Sequence, residues 1–265
     1  PGHVSHPFQA DGVSGRAGAH GCCAGVEVLA DFAQAVRGYA ALYHLQSAMD
    51  VMWWWMLGFS LDGKRVKAYA RFLVCFCLLF FPVYGGAGYW AAHHAPRLYA
   101  LYLPWERAIP LVPWMIWPYL SLYVLFVLPL LVLTPEQLKV LSRQSTVCLL
   151  LAGAAFVLVP GRNGYAPEAL AGFYGHMYQV LHVVDAPSNL VPSLHVVFSA
   201  LILWACAEQA HCRRATPIFA IWLLVLCAST LLTHQHHLLD VVSGLLLAWG
   251  VRRAWPLPSG TARKN

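Results

Sequence analysis

Hydrophobic positions in this chain form long unbroken runs, not the one-sided stripes of a soluble helix or the alternation of a half-buried strand. Uncharged runs cover residues 72–92, 109–133, 144–161 and 215–233. Each is close to the roughly 20 residues needed to cross the hydrocarbon core of a bilayer. Two further apolar segments, 192–207 and 238–251, each carry an ionisable group close to their start, His195 in the first and Asp240 in the second. Backbone polar groups in lipid must be satisfied within a helix or a closed barrel, and long runs without alternation exclude the barrel. The pattern predicts an all-α integral membrane protein, with a six-helix bundle over residues 68–255.

The N-terminal part has a different texture. Residues 1–25 are rich in Gly, Ala, His and Ser without apolar periodicity, which predicts a flexible tail. In the segment 26–60, Val28, Phe32, Ala35, Tyr39, Leu42 and Leu45 recur every three or four residues, the spacing of an amphipathic helix. Trp53, Trp54 and Trp55 follow beside a basic cluster, where an interfacial aromatic belt would sit. This N-terminal amphipathic helix is expected to lie in the membrane interface without spanning it. Farther along, the connection 162–192 is too polar to span, and a short surface helix is expected over 169–184, stopped by Pro187.

Composition agrees with a membrane protein: 59% of the residues are hydrophobic and only 11% charged, against roughly 25% charged in soluble domains. The basic residues fall in alternate connections. Lys64, Arg65, Lys67 and Arg71 precede the first span, Lys139 and Arg143 separate the second from the third, and Arg213 and Arg214 separate the fourth from the fifth. Arg252, Arg253, Arg263 and Lys264 follow the sixth. By the positive-inside rule both termini are expected to be cytoplasmic. The net charge of +6 is then explained by anionic membrane lipids as partners, and no nucleic acid is implied. The sequence carries no signal for oligomeric state. Of eight cysteines, Cys75, Cys77, Cys148, Cys206 and Cys227 fall inside apolar runs, where cysteine behaves as a small hydrophobe.

This topology gathers four sets of polar residues at the non-cytoplasmic face: Arg162; Asp185 and Asn189; Ser193 and His195; and the cluster from His234 to Asp240. His236 and Asp240 are four apart, so on a helix they share a face, and the carboxylate can hold one ring nitrogen while freeing the other for attack. His234 and His237 fall off that face and are expected to be interfacial residues without a chemical task. A metal is not expected, because structural zinc would want four ligands and the nearby thiols lie mid-membrane; no cofactor is expected either. In "PSLH" (192–195), Pro192 suits the first turn of a helix, Ser193 a cap, and His195 a position near the positive end of the helix dipole. Arg162 offers planar donors suited to phosphate. Two histidines, an aspartate, an arginine and a helix N-terminus are the parts needed for in-line phosphoryl transfer through a phosphohistidine.

Over roughly residues 105–251 the chain resembles the type 2 phosphatidic acid phosphatase superfamily, which includes lipid phosphatases, inositol phosphorylceramide synthases and sphingomyelin synthases. "PSLH" is similar to its second motif and "STLLTHQHHLLDVVSG" (229–244) to its third, in which a Ser precedes the catalytic His by seven residues and an Asp follows it by four. Ser229, His236 and Asp240 fit. "IPLVPWMIWPYLSLY" and "DAPSNLVPSLH" resemble the branch nearer the inositol phosphorylceramide synthases. The resemblance implies that His236 is the nucleophile, Asp240 its orienting carboxylate, and His195 the general acid and then the base. Ser193, Ser229, Asn189 and Arg162 are expected to bind phosphate. Two departures bear on the phosphate charge. Thr230 follows Ser229 where the phosphatases often have Arg, and the first motif is absent, with Ala155 seven residues before Arg162 and Asn163 after it. The expected function is a metal-independent lipid-phosphate phosphatase acting on a phosphomonoester or pyrophosphate at the non-cytoplasmic face. The alternatives are a lipid phosphotransferase with an alcohol acceptor and, from another class, a non-enzymatic transporter.

Overall fold

The computed structural model describes residues 63–166, 170–209 and 215–258; the expected tail over 1–25 and the amphipathic segment over 26–60 lie outside them. The described residues are helical apart from loops and one isolated parallel bridge, Tyr99 with Gly161. Among the described residues, three helices are long and apolar enough to cross a membrane: Gly63–His94, Pro135–Leu158 and Ala215–Leu232.

The first of these joins α1 (Gly63–Phe80), a π-helical turn (Phe81–Gly85) and α2 (Gly86–His94). Its described part includes Lys64, Arg65 and Lys67 ahead of the uncharged run, long basic side chains that can snorkel towards water. The π turn falls at Pro82, whose missing N–H breaks the regular ladder. The run 109–133 is not one helix. A 3-10 turn (Pro113–Met115) leads into α3 (Ile116–Leu125), and a break precedes α4 (Leu128–Val132). Pro129 cannot donate to the carbonyl of Leu125 and its ring would crowd it, so the helix stops there. α5 (Pro135–Leu158) starts on a cap in which Thr134 Oγ1 accepts from Gln137 N and Gln137 Oε1 accepts from Thr134 N.

The surface helix α6 runs from Gly172 to Val184. α7 (Leu194–Gln209), at 16 residues, is shorter than the three long helices. It sits at the centre of the bundle, with Val196 to Leu203 all buried, and packs against α3, α5, α8 (Ala215–Leu232) and α9 (Leu238–Ala254). A helix apolar on every side belongs in such a place. Outward-facing Leu78, Phe81, Ile221, Leu224, Leu246 and Trp249 are exposed, the surface that lipid contact requires.

Two devices bring the site's elements together. Gly244 on α9 lets the start of α7 approach closely: a Cβ there would lie 2.9 Å from Ser193 O and 3.2 Å from the Val196 Cβ. The loops at the same end are laced by backbone bonds. Tyr99 N donates to Pro160 O (2.8 Å), Arg162 N to Tyr99 O (2.8 Å), and Ser193 N to Asp240 O (3.0 Å).

Candidate active site

The turn between α8 and α9 sets the positions of the three histidines. α8 ends with the bond pattern of a Schellman motif: Gln235 N donates to Thr230 O (3.2 Å) and His234 N to Leu231 O (3.1 Å). His234 occupies the left-handed position (φ 58°) that glycine usually takes. Its Nε2 lies 2.9 Å from Ile109 O. The chain then turns so that His236 N also donates to Thr230 O (3.0 Å), and α9 opens at Leu238 with His237 as its N-cap residue.

His236 therefore precedes the helix, and the shared helical face expected for it and Asp240 is not what joins them. Asp240 is the third residue of α9, and its Oδ2 reaches back over the helix start to accept from His237 N (2.8 Å). The same oxygen lies 3.1 Å from His236 Nδ1. A carboxylate at a helix N-terminus is favoured by the helix dipole, so the capping geometry itself supplies the histidine's partner. With Nδ1 so engaged, Nε2 is the nitrogen left to face the cavities that His236 lines.

His237 is bound in a different way. It is 1% exposed; its Nε2 accepts from Gly164 N (3.0 Å), and its Nδ1 lies 3.4 Å from Glu106 Oε2. An Nε2 that accepts must be unprotonated, so the proton sits on Nδ1, towards the carboxylate. Burial lowers the His237 pKa against the opposing pull of Asp240 and Glu106, and the ring is neutral. Glu106, itself buried, accepts from Leu103 N and Leu238 N, each at 2.7 Å. Aromatic rings complete the clamp: Tyr102, His237, Tyr165 and His234 stack in succession, with centroid separations of 4.7, 4.4 and 4.0 Å.

His195 comes to the site from the first turn of α7. Ser193, fully buried, caps that helix, its Oγ accepting from Val196 N at 3.4 Å. Pro192, expected in the first turn, lies before the cap after a cis Val191–Pro192 peptide. The His195 ring lies against Tyr119 of α3, centroids 3.9 Å apart and planes 19° apart, and its Nε2 is buried without a partner. The Tyr119 hydroxyl donates to Asp185 Oδ2 (2.8 Å) at the end of α6. Burial pushes the Asp185 carboxyl above the usual carboxylate range, opposed by the Tyr119 hydrogen bond and by His236 and His182.

Two cavities meet here. One, about 400 Å³, is walled by apolar groups of α1, α3 and α7, such as Phe76, Phe80, Leu122 and Phe198, and ends at His195, His236 and Asp185. The other, about 230 Å³, has more polar side chains in its wall, among them Asn163, His182, Asp185, Asn189, Gln235 and His236. Asn189 lines both; its Nδ2 donates to Tyr84 O (2.8 Å), which leaves Oδ1 as its unpartnered atom. The arrangement juxtaposes an oriented imidazole, a second imidazole with an unsatisfied nitrogen, and an apolar cavity.

Other expected phosphate ligands are elsewhere. Ser229 is buried within α8, its hydroxyl donating to Leu226 O (2.7 Å), and Arg162 is exposed; neither of them, nor the buried Ser193, lines either of these two cavities. Thr230 is also buried, with its hydroxyl on Cys227 O (2.8 Å). No Lys or Arg lines either cavity among the described residues, nor do His, Cys, Asp or Glu side chains there cluster in threes that could hold a metal. Tyr84, Tyr119 and Glu106 had no sequence signal, since each acts on a residue distant in the chain. Asp185 had a weak one in its nearness to "PSLH".

Compared with known proteins, residues 99–253, more than half of the chain, match the family model described as the PAP2 superfamily. No curated protein and no solved structure matches.

Proposed function

The chain belongs to the PAP2 superfamily, and from that premise we propose that it is a membrane enzyme which transfers the phosphoryl group of a lipid phosphate to His236, with water as the final acceptor. The observation that carries this reading is the meeting of His236 and His195 at the polar end of an apolar cavity. His236 Nε2 attacks phosphorus as the bond to the lipid oxygen breaks, and His195 gives that oxygen its proton. His195 then takes a proton from water, whose oxygen attacks phosphorus as the P–N bond breaks. Asp240 holds the His236 Nδ1 proton throughout and favours the imidazolium-like charge of the intermediate. Ser193 N is already given to Asp240 O, so the amides of Leu194 and His195 at the start of α7 are the backbone donors for the phosphate oxygens in this reading. The active site is assigned to the non-cytoplasmic face, with both termini cytoplasmic, on the distribution of Lys and Arg.

A second reading, a phosphotransferase with an alcohol acceptor, is favoured by one specific observation. The cavity walls carry no Lys or Arg, so a doubly charged monoester would meet no fixed cation. A phosphate that keeps an organic substituent carries less charge, and the smaller cavity with its Asn163, Asn189 and Gln235 amides offers room for such a group.

Incubating the purified protein in detergent and EDTA with lipid phosphates, with and without alcohol acceptors, tests both readings. Free phosphate without acceptor is the expected result of hydrolysis; product formed only with acceptor establishes the transferase. Activity that depends on added metal, or survives in His236→Ala, overturns the phosphohistidine mechanism.

A further inference from the structure

His236 has a carboxylate hydrogen-bonded to its ring, whereas His195 has none. What holds His195 is an aromatic face, and that face is itself held by a carboxylate. We propose that Tyr119, fixed by Asp185, is the positioning residue that aims His195 at the leaving oxygen.

Tyr119 is 1% exposed, so its ring has nowhere else to go. Its hydroxyl donates to Asp185 Oδ2 at 2.8 Å, and its ring overlies His195 at 3.9 Å with planes 19° apart. Tyr123, one turn along α3, meets the same imidazole edge-on at 6.4 Å, so His195 is gripped on a face and an edge by one helix. Nε2 of His195 remains buried and without a protein partner, which is the state required of a nitrogen kept for a substrate atom.

The contact also bears on charge. A π face attracts a cation, and a phenol that donates its proton towards a carboxylate carries more electron density in its ring. Asp185 thereby makes Tyr119 a better surface for the imidazolium form of His195, the form that donates. The Asp185 carboxylate reaches His195 through a ring and does not compete for its nitrogens. Asp185 also touches both cavities, which ties the position of His195 to the wall of the substrate site.

This rests on the reading of His195 as the acid that protonates the leaving oxygen, and the test separates the two. Full-length protein is assayed on a long-chain alkyl phosphate and on a nitrophenyl phosphate carrying the same chain. An alkoxide needs a proton to leave and a nitrophenolate needs almost none. Tyr119→Phe keeps the ring and removes the hydroxyl; Asp185→Asn keeps the shape and removes the charge. For each, release of the alcohol in a single turnover with enzyme in excess is expected to slow about tenfold or more while single-turnover release of the nitrophenol stays within about twofold, because only this first step depends on protonating the leaving group and the later hydrolysis of phosphohistidine is common to both esters. His195→Ala should show the same selectivity more strongly, and His236→Ala should lose both substrates. Equal losses on both esters in Tyr119→Phe and Asp185→Asn, or no loss on either, overturn the positioning role. Retention of nitrophenyl turnover in His236→Ala, or no selectivity in His195→Ala, overturns the underlying reading instead.

Discussion

His236 and His237 are neighbours in the chain, and each faces a buried carboxylate, yet the two pairs are opposites. The His236 ring meets Asp240 through one nitrogen and opens on two cavities. The His237 Nε2 accepts from Gly164 N, its Nδ1 is buried 3.4 Å from Glu106 Oε2, and both of its faces are covered by Tyr102 and Tyr165, so neither nitrogen opens on a cavity. A histidine becomes chemically useful when one nitrogen is fixed and the other opens on a cavity; with both turned into the fold it is a strut. The strut matters to the reactive pair all the same. His237 N and His236 Nδ1 share Asp240 Oδ2, and Glu106 holds the first amide of α9 in place.

The contrast is broken most severely by His236→Ala. Turnover of a lipid phosphate should fall by about a thousandfold or more, with thermal unfolding little changed, because the side chain lies at a cavity wall. If a tenth of the activity survives, the reactive histidine is another one. Asp240→Asn comes next, with an expected loss of about a hundredfold, since the amide can still accept from His237 N but no longer favours the cationic form of His236. A capping defect would lower the unfolding temperature as well as the rate; a fall in rate alone places the effect in the His236 ring.

Glu106→Gln inverts the pattern. An amide offers one oxygen where the carboxylate offers two, so either Leu103 N or Leu238 N faces an NH2 group in place of an acceptor. A buried donor left unsatisfied costs about 1–3 kcal/mol, which should appear as a lower unfolding temperature with most of the turnover per folded molecule retained. A large loss of rate at unchanged stability would instead move Glu106 into the chemistry.

How far the site was legible in the sequence follows from how local each contact is. The pairing of His236 with Asp240 was legible from a four-residue spacing, although the contact arises from a carboxylate folding back over the start of α9, not from a common helical face. The start of α7 and the Ser193 cap were legible because a cap is a local signal. Tyr119 with Asp185, and Glu106 with Leu238, join residues 66 and 132 positions apart; no spacing reports such contacts. The extent of the apolar runs was informative, but their continuity was not. Residues 109–133 contain only uncharged side chains, and Pro129 still divides α3 from α4 because backbone donors, not hydropathy, decide where a helix stops. Arg162 had the right chemistry for phosphate and the right end of α5, but the chain turns there to pair with Tyr99, and the side chain is left exposed.

The mildest change is expected at the third histidine. His234 is held at φ 58° in the position of a Schellman motif where glycine is at ease, and a left-handed residue with a Cβ costs about 1–2 kcal/mol. Its ring offsets that cost by stacking on Tyr165, with planes 1° apart, and by the contact of Nε2 with Ile109 O at 2.9 Å. A stacked aromatic pair and a neutral hydrogen bond contribute about 1 kcal/mol each. His234→Gly removes both and relieves the backbone, so the terms nearly cancel and stability should change by less than about 1 kcal/mol. His234→Ala keeps the strained backbone and loses the ring, and should be the more destabilising of the two. Turnover in both should stay within a few-fold of the parent, because His234 lines neither cavity. If Gly and Ala prove equally harmful, the ring and not the backbone governs this turn; if either abolishes turnover, the division of labour among the three histidines is wrong.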